Sequence, residues 1–167
     1  MNRKLNYALR SAAILAAATA LSCVTSTPVH ADTVRQFRDL RVAGWFSAYK
    51  ATSSKGEVRF EKDSYVVSAR VYIDCQAAGQ FHAFLRHHSR ELYGGSGPWR
   101  DTNEVTCTDS ATAEGWVAGR NFLHPRYGKS AVIQLCVSHR LGTGCSNEVE
   151  VLDPVLDPAI STGPAAD

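Results

Sequence analysis

Of the five cysteines in this 167-residue chain, the four from Cys75 onward constrain its fold more than any other feature of the sequence. An even number of cysteines in an exported protein is typical of a disulfide framework, and four cysteines allow three pairings. Cys136 and Cys145 are nine residues apart across a segment that contains glycine, so they can close a hairpin. That pairing leaves Cys75 to bridge Cys107. Since no C-x-x-C spacing typical of zinc ligands occurs, the sequence predicts two disulfides and neither a metal nor another cofactor.

The prediction of disulfides depends on export, and residues 1–31 have the three parts of a bacterial signal peptide. Met1–Arg10 contains three basic residues and no acidic residue. Ser11–Val24 is an apolar run of 14 residues, shorter than the roughly 20 residues that a bilayer requires. Small residues then stand at the −3 and −1 positions in Val29-His30-Ala31. We therefore predict cleavage after Ala31 and a secreted, extracellular protein.

Lipidation of Cys23 is the alternative to cleavage after Ala31. A lipobox has Leu three residues before the cysteine and a small residue two before it, whereas Ala20 and Leu21 stand here in the opposite order. Cleavage is therefore the preferred prediction. No later segment is apolar for long enough to span a bilayer, so we expect no membrane contact once the signal peptide is removed.

Removal of the signal peptide also changes the charge of the chain. The full sequence has 18 basic and 16 acidic residues, which gives a net charge of +2. Because the signal peptide holds Arg3, Lys4 and Arg10 but no acid, the mature chain keeps 15 basic and 16 acidic residues, a net charge of −1. Nucleic-acid-binding domains normally have an excess of positive charge, so we expect no nucleic-acid partner.

Alternation of apolar and polar residues predicts β-strands from Gly56 to Leu152. The clearest case runs from Tyr65 to Ile73, where every second residue is apolar. About seven such runs occur, separated by turn residues such as Ser53–Gly56, and none of them has the period of a long helix. Residues 32–43 fit either a short helix or an edge strand. The pattern predicts an all-β fold, an antiparallel β-sandwich with immunoglobulin-like topology.

The chain divides into three predicted parts. Residues 1–31 form the signal peptide, residues 32–152 the secreted β-sandwich domain, and residues 153–167 a disordered tail. The tail has three prolines in 15 residues and little apolar surface to bury, which is typical of disorder.

The loop from Glu91 to Asp101 contains the predicted binding residues. Tyr93 and Trp99 flank a run of small residues, and Arg100 follows directly. Aromatic rings beside polar donors are typical of sugar and peptide recognition, because a ring offers contact area at little entropic cost. In the alternative interpretation, Trp99 folds back and packs against the end of the sandwich.

A secreted hydrolase or metal-dependent enzyme is the first alternative function. His82 and His88 share one face of a predicted strand while His87 points to the other face, and His82, His88 and one further histidine could form a metal site if the fold brings them together. The simpler interpretation is that these histidines are surface or partly packed side chains. Gly94–Pro98 resembles a nucleophile elbow but lacks its last glycine. No catalytic residue can therefore be named from the sequence.

A protease inhibitor is the second alternative function. Residues 137–144 lie between two cysteines, and a constrained loop with Arg140 and Leu141 exposed would bind at a low entropic cost. A plain disulfide-closed hairpin explains the same residues equally well.

The cysteine-bearing segments also carry a resemblance. VYIDC ends a long strand, VTCTD lies in a central strand, and VIQLCVSHRLGTGCS forms a hairpin. Over roughly Gly56 to Leu152 the chain resembles small secreted two-disulfide β-sandwich proteins of actinomycetes. That group has no established activity, so the resemblance implies a fold and carries over no catalytic residue.

The preferred functional prediction follows from export, near-neutral charge and the absence of a catalytic motif. We expect a monomeric extracellular binding module without enzymatic activity, whose partner is an extracellular protein or a glycan.

Overall fold

The computed structural model describes residues 32–44, 47–91, 94–123 and 128–154, with the backbone alone at residues 128 and 129. The predicted signal peptide, Tyr93 and the predicted tail beyond Pro154 lie outside these residues. The described ranges contain eleven strands and no α-helix that could cross a bilayer. In chain order the strands are β1 (Thr33–Phe37), β2 (Arg41–Ala43), β3 (Tyr49–Phe60), β4 (Ser64–Cys75), β5 (Gln80–Glu91), β6 (Arg100–Asp101), β7 (Val105–Thr108), β8 (Thr112–Phe122), β9 (Gly128–His139), β10 (Gly142–Cys145) and β11 (Val149–Leu152).

The strands form two antiparallel sheets. The first has the order β1-β3-β4-β8, with β2 also paired to β3. The second has the order β10-β9-β5-β6, with β11 paired to β9 and β7 to β5. When β3, β4 and β8 are equated with immunoglobulin strands A, B and E, and β5, β9 and β10 with C, F and G, the two orders coincide. The predicted antiparallel sandwich with immunoglobulin-like topology is confirmed.

The core lies between the sheets and follows from the alternation of β4. Each large apolar side chain that leaves water there contributes about 1.5–3 kcal/mol to folding. Leu85 from β5 and Leu135 from β9 belong to the same buried cluster. The residues of β4 that were predicted to share one face are all fully buried: Tyr65, Val67, Ala69, Val71 and Ile73.

Two local predictions change near the start of the domain. The turn predicted at Ser53–Gly56 is wrong, because β3 continues through it with a register shift between Ser54 and Glu57. Lys55 has a φ of 51° there. Residues that favour a turn also favour a β-bulge, since both need one residue in an unusual backbone conformation. Of the two interpretations of residues 32–43, the edge strand holds, because β1 and β2 both pair with β3.

Both predicted disulfides are present. Cys75 at the end of β4 bonds to Cys107 in β7, so this bridge joins the two sheets. Cys136 in β9 bonds to Cys145, its direct partner across the β9–β10 hairpin. The first bridge differs from that of antibody domains, which connects strands B and F. Both bridges lie towards the end of the sandwich that carries the β4–β5 and β9–β10 turns.

Candidate functional site

A concave surface lies at that same end of the sandwich, and we call it the end groove. It consists of two adjoining cavities of about 610 and 730 Å³. Residues 47–49, 76–82 and 138–144 line it. These segments precede β3, connect β4 to β5 and connect β9 to β10. In immunoglobulin-type sandwiches the B–C and F–G loops meet at one end, which is the geometry found here.

Backbone hydrogen bonds hold the first wall of the end groove in place. The amide nitrogens of Gln76 and Ala77 both donate to the carbonyl oxygen of Ala48, at 2.9 and 3.1 Å. The β4–β5 turn is thereby fixed to the segment before β3. Because Cys75 is the residue before this turn, the disulfide to Cys107 restrains the same wall.

Three rings form the floor of the end groove. Tyr49, Phe81 and His139 come from β3, β5 and β9, and their centroids lie 5.4 to 6.1 Å apart. Tyr49 and Phe81 are buried, and burial raises the pKa of the Tyr49 hydroxyl above its usual value. Gly144 makes room for that hydroxyl, since a Cβ atom at Gly144 would lie 2.5 Å from the Tyr49 oxygen. The floor therefore consists of two buried aromatic side chains and one imidazole.

The rim opposite this wall is a tight turn. Since His139 pairs with Gly142, the β9–β10 connection consists of Arg140 and Leu141 alone. Leu141 is 81 % exposed, and its amide donates to Nδ1 of His139 at 3.3 Å. The Cys136–Cys145 bridge lies directly below in the same hairpin. The structure thus presents an apolar side chain and a guanidinium to solvent from a turn whose position is fixed.

The residues predicted to bind ligand lie elsewhere. Tyr93 is outside the described residues. Trp99 packs its ring against His88, with centroids 4.2 Å apart, yet it stays 42 % exposed. Arg100 is exposed on β6, opposite His87 of β5. Trp99 and Arg100 are neighbours near the end of β5 remote from the end groove, so binding at this loop stays a prediction about a second surface.

The three histidines of β5 occupy three different environments. The Nδ1 atom of His82 lies 2.8 Å from a carboxylate oxygen of Glu104, on the outer face of the second sheet. His88 is buried on that face beneath Trp99. His87 points between the sheets and is fully buried, so the interpretation of all three as surface or partly packed residues is wrong for His87 and for the buried His88. Within the described ranges no three His, Cys, Asp or Glu side chains are grouped as metal ligands would be.

His87 forms a buried polar pair with Tyr65. Its Nδ1 atom lies 3.1 Å from the Tyr65 hydroxyl, and its Nε2 atom has no hydrogen-bond partner among the described residues. Gly119 of β8 faces Nε2, and a Cβ atom there would lie 2.9 Å from it. Burial lowers the pKa of His87 to about 4 and raises the pKa of Tyr65. Both groups are therefore neutral at pH 7, and since the pair is enclosed it concerns stability rather than ligand binding.

Sequence reasoning identified residues 137–144 but missed the end groove. The alternation of β3, β5 and β9 indicates that Tyr49, Phe81 and His139 face inwards. Their convergence depends on strand order, which alternation does not contain. No protein-family model matches this chain, and no curated protein matches it in sequence. Its function has to be inferred from the site alone.

Proposed function

We propose that this chain is a secreted, non-enzymatic binding module that takes its partner in the end groove. The observation that carries the proposal is the combination of a buried aromatic floor with Leu141, an apolar side chain exposed on a disulfide-closed turn. A large exposed apolar side chain beside a concave surface is typical of an interaction site. Because turn and wall are already held in place, binding would order few groups, which lowers its entropic cost.

The lining of the end groove favours a protein segment over a glycan as partner. Ala48, Ala77 and Leu141 offer small and branched apolar surfaces, and the floor rings of Tyr49 and Phe81 are buried, whereas sugar sites usually expose the face of an aromatic ring. Arg140 and His139 add donors for a carbonyl or carboxylate oxygen. A short apolar peptide with an acceptor group fits this chemistry. Trp99 and Arg100 lie outside the end groove and would suit a glycan better, because they offer an exposed ring beside a hydrogen-bond donor.

Secretion is supported by two independent features. Disulfides persist in oxidising compartments and are rare in the cytosol of mesophiles, and this chain forms two of them. The first 31 residues have the composition of a signal peptide, and cleavage after Ala31 gives a domain that starts at β1. The relationship to small secreted actinomycete proteins is part of the same proposal.

Capture of partners from culture supernatant and from a cell-wall extract tests the binding site. The mature protein serves as bait, and captured proteins are identified and quantified by mass spectrometry. We expect Leu141→Asp to reduce the capture of specific partners at least ten-fold. Phe122→Asp is the matched control, because Phe122 is also exposed but lies on β8. Unchanged capture by Leu141→Asp together with loss in Trp99→Ala would contradict the groove and locate binding at the 91–101 loop.

A secreted hydrolase is the second candidate, because one specific arrangement favours it. Ser138 and His82 are cross-strand partners, both line the end groove, and His82 contacts Glu104. Nucleophile, base and carboxylate in this order are what acyl transfer requires. Labelling with a fluorophosphonate probe decides the matter. Labelling that disappears in Ser138→Ala would favour the hydrolase, and absence of labelling would favour the binding module.

The inhibitor alternative receives less support from the β9–β10 turn. Two residues, Arg140 and Leu141, connect paired strands in a tight hairpin. Such a turn offers one or two side chains to a partner, not a longer extended segment. Assay of the mature protein against trypsin-like and subtilisin-like proteases tests this alternative directly.

A further inference from the structure

β8 is an open edge of the first sheet. Within the described residues β4 is its only strand partner, in an unbroken register from Ser64↔Phe122 to Asp74↔Thr112. An immunoglobulin domain of the constant type would have strand D at this position. A long edge strand exposes a row of unpaired N–H and C=O groups and is a template for pairing with another chain. Proteins that remain monomeric therefore protect such edges.

The even-numbered residues of β8 direct their backbone groups towards this open edge. In an antiparallel strand the N–H and C=O of one residue point to the same side, and the side alternates along the strand. The odd-numbered residues at the two ends bond towards β4: the carbonyl oxygen of Ala111 accepts from the amide of Cys75, and the amide of Leu123 donates to the carbonyl oxygen of Asp63. The backbone groups of the even-numbered residues therefore point to the opposite side. The side chains of the even-numbered residues are all exposed: Thr112, Glu114, Trp116, Ala118, Arg120 and Phe122.

The side chain of Asn103 occupies the middle of this edge. Its Nδ2 atom donates to the carbonyl oxygen of Trp116 at 3.0 Å, and its Oδ1 atom accepts from the amide of Ala118 at 2.7 Å. A neighbouring strand would bond to these same two backbone groups. The preceding residue, Thr102, bonds to β5 of the other sheet. Its amide donates to the carbonyl oxygen of Leu85 at 2.9 Å, and its hydroxyl oxygen accepts from the amide of Leu85 at 3.0 Å.

We propose that the open edge of β8 is a self-pairing surface that the Asn103 side chain keeps closed. With Asn103 in place the chain is monomeric; without its amide, two copies pair antiparallel through β8 and join their first sheets. A two-fold axis at Val117 makes this arrangement self-complementary. Glu114 then lies opposite Arg120 of the second copy, and the large Trp116 lies opposite the small Ala118. Both pairs consist of even-numbered residues, so they also match in hydrogen-bonding phase.

Existing ion pairs do not prevent this pairing. Glu114 bonds to Arg70 at 2.6 Å, and Arg120 bonds to Glu61 at 2.7 Å. The side chains of Glu114 and Arg120 are 43 % and 57 % exposed, so both can still accept a partner from a second copy. Exposed pairs of this kind contribute little to folding, and their rearrangement opposes association only weakly.

Sedimentation and light scattering of the mature protein, from micromolar to millimolar concentration, test the proposal. We expect the unaltered chain to be monomeric and Asn103→Ala to become predominantly dimeric. Adding Glu114→Arg should restore the monomer, because two arginines then face each other, and adding Arg120→Glu as well should restore the dimer. Asn103→Asp, which keeps the bond from Ala118 but not the one to Trp116, should give an intermediate dimer fraction and serves if Asn103→Ala does not fold.

Three results would overturn the proposal. The first is an Asn103→Ala variant that is folded by circular dichroism and monomeric at every concentration. The second is a dimer that persists when Glu114→Arg is added, since it must then use another surface. The third is an unaltered chain that already dimerises through β8, which would mean that Asn103 does not close the edge.

Discussion

The end groove and the surroundings of His87 lie in the same sandwich but are stabilised in opposite ways. At the groove end two disulfides restrain the turns, and the floor is formed by rings without an orphaned polar atom among the described residues. Around His87, further along β5, the core contains a tyrosine, a histidine and an unpartnered nitrogen. The first region depends on covalent cross-links and the second on the protonation state of one imidazole. Different treatments should therefore weaken them separately.

Removal of the inter-sheet disulfide should have the largest effect. Cys75 and Cys107 are 32 residues apart, so the bridge contributes about 4 kcal/mol in the loop-entropy model, against about 3 kcal/mol for the nine-residue separation of Cys136 and Cys145. Replacing the first pair by Ala should lower the urea midpoint more than replacing the second pair. The reverse order would show that the hairpin, and not the connection between sheets, limits stability at the groove end.

Acid should act on the His87 region. The folded-state pKa of His87 is lowered from 6.5 to about 4, chiefly by burial and further by His88 and Arg100, while Asp101 acts in the opposite direction. The unfolded chain therefore binds more protons below pH 6.5, and stability falls as the pH drops from about 6.5 to 4. The full shift corresponds to about 3 kcal/mol. Urea titrations at several pH values measure the slope.

His87→Phe is the matched variant for the acid experiment. Phe keeps most of the ring volume and cannot be protonated, and Asn121 remains as a hydrogen-bond partner for Tyr65. We expect a clearly flatter dependence of the unfolding free energy on pH between 6.5 and 4. An unchanged slope would mean that other groups cause the acid sensitivity.

Gly144→Ala should have a moderate effect confined to the groove end. The new methyl would meet the Tyr49 hydroxyl, and overpacking of this kind costs about 1–3 kcal/mol. Tyr49→Phe removes that oxygen, so the double variant should regain most of the lost stability. Thermal melts of the two single variants and the double variant form the cycle, and an additive result would show that Gly144 is needed for another reason.

Leu141→Asp should have the smallest effect on stability. The side chain is 81 % exposed, and surface substitutions usually change the unfolding free energy by no more than about 0.5 kcal/mol. A melting temperature close to that of the unaltered chain, combined with loss of capture, would separate the binding role of Leu141 from a structural one. A large drop in melting temperature would show that Leu141 packs against the groove.

Much of the fold could be predicted because strand periodicity and cysteine spacing are local signals. The inner face of β4 and both disulfides are correct at the level of single residues. The bulge at Ser54–Glu57 was taken for a turn, because the same residue types serve both. His87 continues the alternation of Phe81, Ala83 and Leu85, so its burial was within reach of the pattern.

The sequence by itself determined which residues of strand β4 face the core and which cysteines can pair. Those properties depend on neighbours in the chain or on simple spacing. Only the tertiary structure decided that Tyr49, Phe81 and His139 share one floor, that Trp99 covers His88, and that Asn103 reaches β8. The physical reason is that strand order is set by the packing of segments far apart in sequence. Alternation reports the two faces of one strand and not the identity of its neighbours.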